Sequence, residues 1–382
     1  MPSSLLRQTV LSSARRVVVK LGTQLLSRAD GRLDMRYLRR IAAQVAELTQ
    51  KGVEVTLVSS GAIGAGCAEL RLSKRPSDVA ALQAVAAVGQ RCLMAILHDA
   101  FSHHDMEVGQ VLLTRSDFDD RARFLNIRNC VLHLHSLGCV PIINENDAVA
   151  VDEIRFGDND LLAALICNAL KADALLLLTV VDGLLDTDGK VIDMVEDTMA
   201  ALALARRDKT KMGSGGIMTK LEAARLVTEA GEVAVIANGR LTNVLGRLLS
   251  GQAKLGTVFV PAGRKLDSRQ RWIGLTARPS GTVSIDQGAV TAICKGGKSL
   301  LATGITATTG RFDRGEVLLV RDAAGREMAR GLSNYGSDEL RLIMGKRSSQ
   351  FEKILGRRAY SEVIHRDHLV IGEERQAKSD SG

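Results

Sequence analysis

The 382-residue chain reads as an α/β protein: a three-layer αβα sandwich around a mostly parallel sheet, followed by a small β-barrel-like module. Three observations predict this. Short, nearly all-apolar runs alternate with helix-period stretches through the first two thirds of the chain, the pattern of a parallel sheet covered on both faces. Each apolar run breaks off into glycine, small or polar residues, at the strand ends where such sheets bind ligands. Beyond residue 281, short strand-like runs are separated by glycine turns.

The elements follow in order. RRVVVKLG is a β-branched strand ending on glycine, and MRYLRRIAAQVAELTQKG has apolar residues at helical spacing with a glycine stop. VEVTLVSSG repeats the strand-into-glycine form. A long helix is expected from Asp78 to about His103, then the strand EVGQVLLT, a helix through FLNIRNCVLHLHSLG and the strand CVPIINEND. ALLLLTVVDG, a helix from Thr219 to Ala230, EVAVIANG and the short TVFVPAG complete the series. Lys20 closes the first strand, where alternation would otherwise place a packing residue.

Hydrophobic residues make up 46% of the chain, enough for a sizeable core. No run is expected to approach the roughly 20 apolar residues that span a bilayer, and MPSSLLRQTVLSSARR is a poor secretory signal, so a cytoplasmic protein with no membrane partner is expected. The six cysteines show no ligand spacing and read as reduced, buried packing residues. The net charge of +8 divides into +2 over residues 1–264 and +6 over 265–382. That surplus suits an anionic partner or an ordinary solvated surface.

KMGSGGIMTK, residues 211–220, combines bared backbone N–H groups, a helix start and a cation. It is not a Walker loop, because Thr219 precedes Lys220 and Leu221 follows. A lysine at a helix start opposes the helix dipole, and an anion bound there would resolve the conflict.

VVVKLGT, VSSGAIGAG, PIINENDAV, FGDNDLLAA and KMGSGGIMTKLEAA, in this order, resemble the glutamate 5-kinases of the amino acid kinase family. RGEVLLVRDAAGREMARGLSNYGSDEL followed by EVIHRDHLV resembles the PUA domain fused to many bacterial members. The likeness runs from about Arg16 to Ile371. It implies the amino acid kinase fold over residues 1–262, a linker over 263–280, a PUA-like domain over 281–375 and a disordered tail over 376–382.

The implied reaction moves the γ-phosphoryl group of ATP, with Mg²⁺, to the side-chain carboxylate of L-glutamate, the first step toward proline. A glutamate carboxylate has a reference pKa near 4.3 and is already an ionised nucleophile at neutral pH. No general base is required, and His98, His103, His104, His133 and His135 read as surface or helix-packing residues. Catalysis then rests on bringing two anions together and neutralising charge on the transferring group.

By motif position, Lys20, Lys220 and Asp160 match the family's catalytic residues: Lys20 for the transferring group, Lys220 for the nucleotide phosphates, Asp160 to orient both. Asp160 also reads as a first-turn aspartate of the helix that follows. Ser60, Asp147 and Asn159 match the glutamate contacts, with Asp147 for the α-ammonium and Ser60 and Asn159 as neutral donors to carboxylate oxygens. Glu145 reads as a turn residue.

ATP-binding positions are Lys20, Gly22, Thr179, Val180, Ser214, Gly215, Gly216, Ile217, Met218, Thr219 and Lys220. Gly22, Gly61 and Gly64 either let backbone N–H groups approach phosphates or serve only a left-handed turn. The chain departs from the family at Val180, where an aspartate is usual, and at Leu185, in place of a tyrosine-like residue. Mg²⁺ is expected on the phosphates, with no metal ligand from the protein.

The resemblance further implies a homo-oligomer, dimer or tetramer, and a partner glutamyl phosphate reductase. PUA domains elsewhere bind RNA. Here Phe312, Tyr335, Phe351 and Tyr360 are isolated, so a role in oligomerisation or regulation is the preferred expectation. Alternatives are a sibling kinase for N-acetylglutamate, aspartate or a nucleoside monophosphate, and an RNA-binding protein.

Overall fold

The computed structural model describes residues 3–28, 30–150, 159–207, 216–251, 254–261 and 265–372. The expected tail 376–382 and the expected phosphate-loop residues Ser214 and Gly215 lie outside them. The chain forms two compact units, Met1–Lys265 and Leu266–Gly382.

The first unit is a mixed, mostly parallel sheet of β1 (Arg16–Leu21), β2 (Glu54–Val58), β3 (Val108–Leu113), β4 (Val140–Glu145), β5 (Ala174–Thr179), β6 (Met194–Val195), β7 (Val233–Asn238) and β8 (Thr257–Phe259). Their order is β3-β4-β2-β1-β5-β7-β8-β6, with only β7–β8 antiparallel. The helices are α1 (Ser3–Ser12), α2 (Thr23–Leu26), α3 (Met35–Gln50), α4 (Ala62–Glu69), α5 (Val79–Ser102), α6 (Arg121–Ser136), α7 (Asp160–Leu170), α8 (Thr198–Arg207), α9 (Gly216–Thr228) and α10 (Val244–Ser250). β1, β5 and β7 are buried almost end to end, as a sheet covered on both faces requires.

The long predicted helix starts one residue after Asp78, whose carboxylate accepts from Ala81 N at 2.8 Å, an ordinary N-cap. With 24 residues, α5 is apolar enough by length and composition to cross a bilayer, which corrects the expectation that no such stretch exists. Its apolar face is turned inward: Leu82, Val85, Leu93, Leu97 and Phe101 are buried in this unit. α5 lies unusually close to α4. A Cβ on Gly66 would overlap the Val85 carbonyl, and one on Gly89 would overlap the Ala62 carbonyl. Only glycine permits that approach.

One further expectation changes, and one element goes beyond the sequence reading. Of the six free cysteines, Cys167 is buried and Cys130 is exposed, so burial is not their common property. α1 was not legible as a helix. It is anchored by the buried Arg7 guanidinium, which pairs with Asp193 and donates to the Leu255 carbonyl, a partner set no local pattern announces.

In the second unit β9 (Gly281–Ile285), β10 (Ile305–Gly310), β11 (Val317–Arg321), β12 (Glu327–Leu332) and β13 (Leu369–Ile371) form a mostly antiparallel sheet in the order β10-β9-β11-β12-β13. Within residues 263–280, expected as linker, the described part from 265 on holds α11 (Ser268–Arg271), capped by Asp267 and Gln270, and a π-helical turn over Trp272–Thr276. Trp272 and Ile273 are buried, and a Cβ on Gly274 would meet Val370 at 2.9 Å. The D-x-x-Q spacing at Asp267 was the available signal of a helix start.

Candidate active site

The carboxyl ends of β1, β2, β4 and β5 lie side by side. Register pairs Lys20 with Val58 on one side and Leu177 on the other, and Val58 with Ile143. The residues that follow each strand therefore open onto a common edge.

Lys20, Lys220, Thr219 and Asp160 come together there. Lys20 Nζ lies 2.8 Å from Asp160 Oδ1, and both side chains are wholly buried. Lys220 Nζ lies 3.0 Å from Asp160 Oδ2 and also donates to the Gly216 carbonyl at 3.2 Å. The Thr219 hydroxyl donates to Asp160 Oδ2 at 2.8 Å. One carboxylate thus holds two ammonium groups from elements 200 residues apart in sequence.

The electrostatics follow from burial. Desolvation outweighs the attraction of Asp160, and the like charge of Lys220 adds to it, so Lys20 is pushed down to about 8. Burial alone would raise the Asp160 carboxyl. The two ammonium groups overcome it and hold that carboxyl below the usual carboxylate range. Two cations on one anion leave a net positive centre suited to a polyanion.

Next to Asp160, Asn159 is the N-cap of α7, yet its side chain makes no capping bond. Its Nδ2 donates to the Ser59 carbonyl at 2.6 Å and to Asn144 Oδ1 at 2.7 Å. Asn144 Nδ2 in turn donates to Gln90 Oε1 at 2.6 Å. Both Asn159 side-chain protons face acceptors within the protein, the Ser59 carbonyl and Asn144 Oδ1. Ser60 is buried, and its hydroxyl meets no partner among the described residues.

Asp147 sits on the turn leaving β4, three residues past Asn144. Burial raises its carboxyl to about 6, against a weaker opposing pull from Arg75. A half-buried carboxylate of this kind is stabilised by a cation.

The glycines divide. Gly22 N–H donates to the Leu178 carbonyl at 3.0 Å, so it brings β1 and β5 close rather than offering a phosphate donor. Gly61 has φ of 90°, a left-handed conformation at the mouth of α4 that glycine adopts without strain. Gly64 faces open space toward Ser27. Thr179 ends β5, and Val180 packs on the core. Val181 and Leu185 expose apolar surface. Gly216, Ile217 and Met218 form the first turn of α9, partly buried.

Asn144 and Gln90 were missed as site residues. Asn144 was seen only as one of the polar residues at a strand end, and it lies buried inside β4; Glu145, expected in a turn, is the last residue of that strand. Gln90 interrupts an otherwise apolar stretch of α5, seven residues after Gln83 and on the same helical stripe.

Comparison with known proteins fits this geometry. The Amino acid kinase family profile matches residues 15–238, and the PUA domain profile matches residues 281–355. A glutamate 5-kinase of Caldanaerobacter subterraneus subsp. tengcongensis is 45% identical over 365 residues, 94% of this chain and 98% of that protein. The glutamate 5-kinase of Citrifermentans bemidjiense is 44% identical, covering 96% of this chain and 100% of its own length. That of Cupriavidus taiwanensis is 44% identical, covering 95% and 100%. Full-length likeness at this level, over both units, settles membership: the chain belongs to the amino acid kinase family and, within it, to the glutamate 5-kinases.

Proposed function

We propose that the chain transfers the γ-phosphoryl group of ATP to the side-chain carboxylate of L-glutamate, giving L-glutamyl 5-phosphate and ADP. The observation that carries this is the meeting of Lys20 and Lys220 on Asp160 at the sheet edge. A carboxylate nucleophile needs no base. It needs an approach to a triphosphate that charge repulsion opposes, and two buried ammonium groups supply the compensating field.

In this reading Asp160 holds both lysines ready while the site is without phosphate. As the transferring group arrives, its equatorial oxygens take hydrogen bonds from Lys20 and Lys220, and Asp160 keeps the two amines from moving apart. MgATP enters as substrate, its metal on the phosphate oxygens. Both Asp160 oxygens already face amines, so this carboxylate is not offered to a cation. The nucleotide lies along the ends of β5 and β7 and the first turn of α9, with Thr179, Val180, Gly216, Ile217, Met218 and Thr219 against it. Val180 and Leu185, in place of the family's aspartate and tyrosine-like residue, give the base an apolar seat beside Val181.

Asp147 pairs with the α-ammonium of glutamate, and that cation relieves the desolvation that raises its carboxyl. An N-acetylated substrate has no such charge and would leave Asp147 unpaired, a strong ground for rejection. The homo-oligomer and the hand-over of the acyl phosphate to a reductase belong to this reading as expectations from the family.

A coupled ADP-release assay with glutamate, N-acetylglutamate, aspartate and UMP tests it, beside a salt-dependent RNA titration. Glutamate should be turned over at least tenfold better than the others by kcat/KM. Turnover of another acceptor in preference, or RNA binding with no turnover, would sink the reading.

A further inference from the structure

The amide relay beneath the site has a direction, and one atom sets it. The Ser59 carbonyl can only accept, so Asn159 must turn its Nδ2 toward it. The other Asn159 proton goes to Asn144, which therefore presents Oδ1 inward and Nδ2 outward. Gln90 must then meet Asn144 with Oε1, at 2.6 Å. Its Nε2, carrying two protons, is left pointing away from the relay. That nitrogen is buried and has no acceptor among the described residues.

The Ser60 hydroxyl, one residue beyond the carbonyl that anchors the relay, is buried in the same condition. An unmet buried donor costs about 1–3 kcal/mol. Two of them at one sheet edge point to a ligand rich in acceptor oxygens.

Helix packing puts Gln90 where it can serve. Gly89 lets α5 press onto α4, and the next residue is thereby carried to the end of β4. Gln83, on the same stripe, donates to the Ala150 carbonyl at 3.3 Å, at the far end of the turn that bears Asp147. α5 thus borders that turn with amides.

Spacing selects which end of the substrate Gln90 meets. Lys20 is on β1 and Asn144 on β4, with β2 between them. Strands lie about 4.8 Å apart, so the two positions are separated by about 10 Å. Extended glutamate spans about 5 Å between carboxyl carbons. The phosphoryl group being transferred lies between that side-chain carboxylate and Lys20. With the side-chain carboxylate turned toward the phosphoryl group that Lys20 holds, the α end of glutamate is left on the β4 side, at the relay.

We propose that Gln90 is a specificity-determining substrate contact whose Nε2 donates to the α-carboxylate of bound glutamate, with Ser60, two residues past the strand between, as a second donor. The assignment rests on the glutamate reading above and extends it to the recognition of the α-carboxylate.

The test is steady-state kinetics of the full chain, wild type, Gln90→Ala and Gln90→Glu, with glutamate and with its α-amide, which keeps the ammonium and the side-chain carboxylate. Gln90→Glu preserves the acceptor facing Asn144 and replaces the outward donor by a carboxylate oxygen. It therefore carries the test even if the alanine variant does not fold. Gln90→Ala should raise KM for glutamate about tenfold to a hundredfold, leave KM for ATP unchanged, and shrink the preference for glutamate over the α-amide by a similar factor. Gln90→Glu should raise KM for glutamate further and turn the preference toward the α-amide. Lower kcat or thermal midpoint with an unchanged glutamate-to-amide ratio in both variants would show a purely structural amide and overturn the assignment alone. A wild-type chain that does not turn over glutamate overturns the substrate reading and this assignment with it.

Discussion

Lys20 Nζ lies 2.8 Å from Asp160 Oδ1 with neither side chain exposed to water, while Asp160 Oδ2 holds Lys220 at 3.0 Å. Removing one member of a buried ionic group strands the others. Breaking such a pair costs about 3–5 kcal/mol, and here it would leave two ammonium groups facing each other. Asp160→Ala should lower the thermal midpoint by roughly 10 °C and kcat by about 10² or more. Differential scanning calorimetry and turnover measured on one preparation check this. A variant with a wild-type midpoint would mean that the cluster is not held as described.

The pH dependence of kcat/KM should have two limbs, since this parameter reports groups of the free enzyme. Asp147 is raised to about 6, so below that pH it becomes protonated and can no longer pair an ammonium: the acid limb falls as pH drops through about 6. Lys20 is lowered to about 8, so above that pH it loses its proton and its hold on phosphate: the alkaline limb falls as pH rises through about 8. A profile flat from pH 5 to 9 would contradict both assignments, and Asp147→Asn should remove the acid limb alone.

Asp147→Asn is nearly isosteric but carries no charge. KM for glutamate should rise about tenfold or more, kcat should change far less, and the preference for glutamate over N-acetylglutamate should collapse. Unchanged glutamate KM in this variant would show that the amino group is read elsewhere.

Gly89→Ala tests the packing that positions α5. The added methyl has no space against the Ala62 carbonyl, and the neighbouring atom is backbone rather than a flexible side-chain tip. Overpacking of this kind costs about 1–3 kcal/mol, more where backbone must shift. Expected are a lower thermal midpoint and a raised KM for glutamate, because Gln90 moves with the helix. Full stability and unchanged kinetics would mean that α4 and α5 stand farther apart.

The sequence by itself determined the alternation of strands and helices, the boundaries of α5, the lysine near the end of β1 and the glycine, small or polar residues that follow the strands. These are local facts: period, caps and glycine stops act over a few residues and can be read without knowing what lies across the sheet. Tertiary structure decided the partners. That β2 and β5 flank β1, that Lys20 and Lys220 share one carboxylate, and that Asn159 commits both protons to Ser59 and Asn144 all depend on contacts far apart in the chain. The same holds for Gly22, whose amide goes to Leu178 across the sheet, and for Gln90, whose amide orientation is dictated by a carbonyl three hydrogen bonds away. A side chain's chemistry is fixed by its residue type, but which of its donors and acceptors remain for a ligand is fixed only by what the fold has already satisfied.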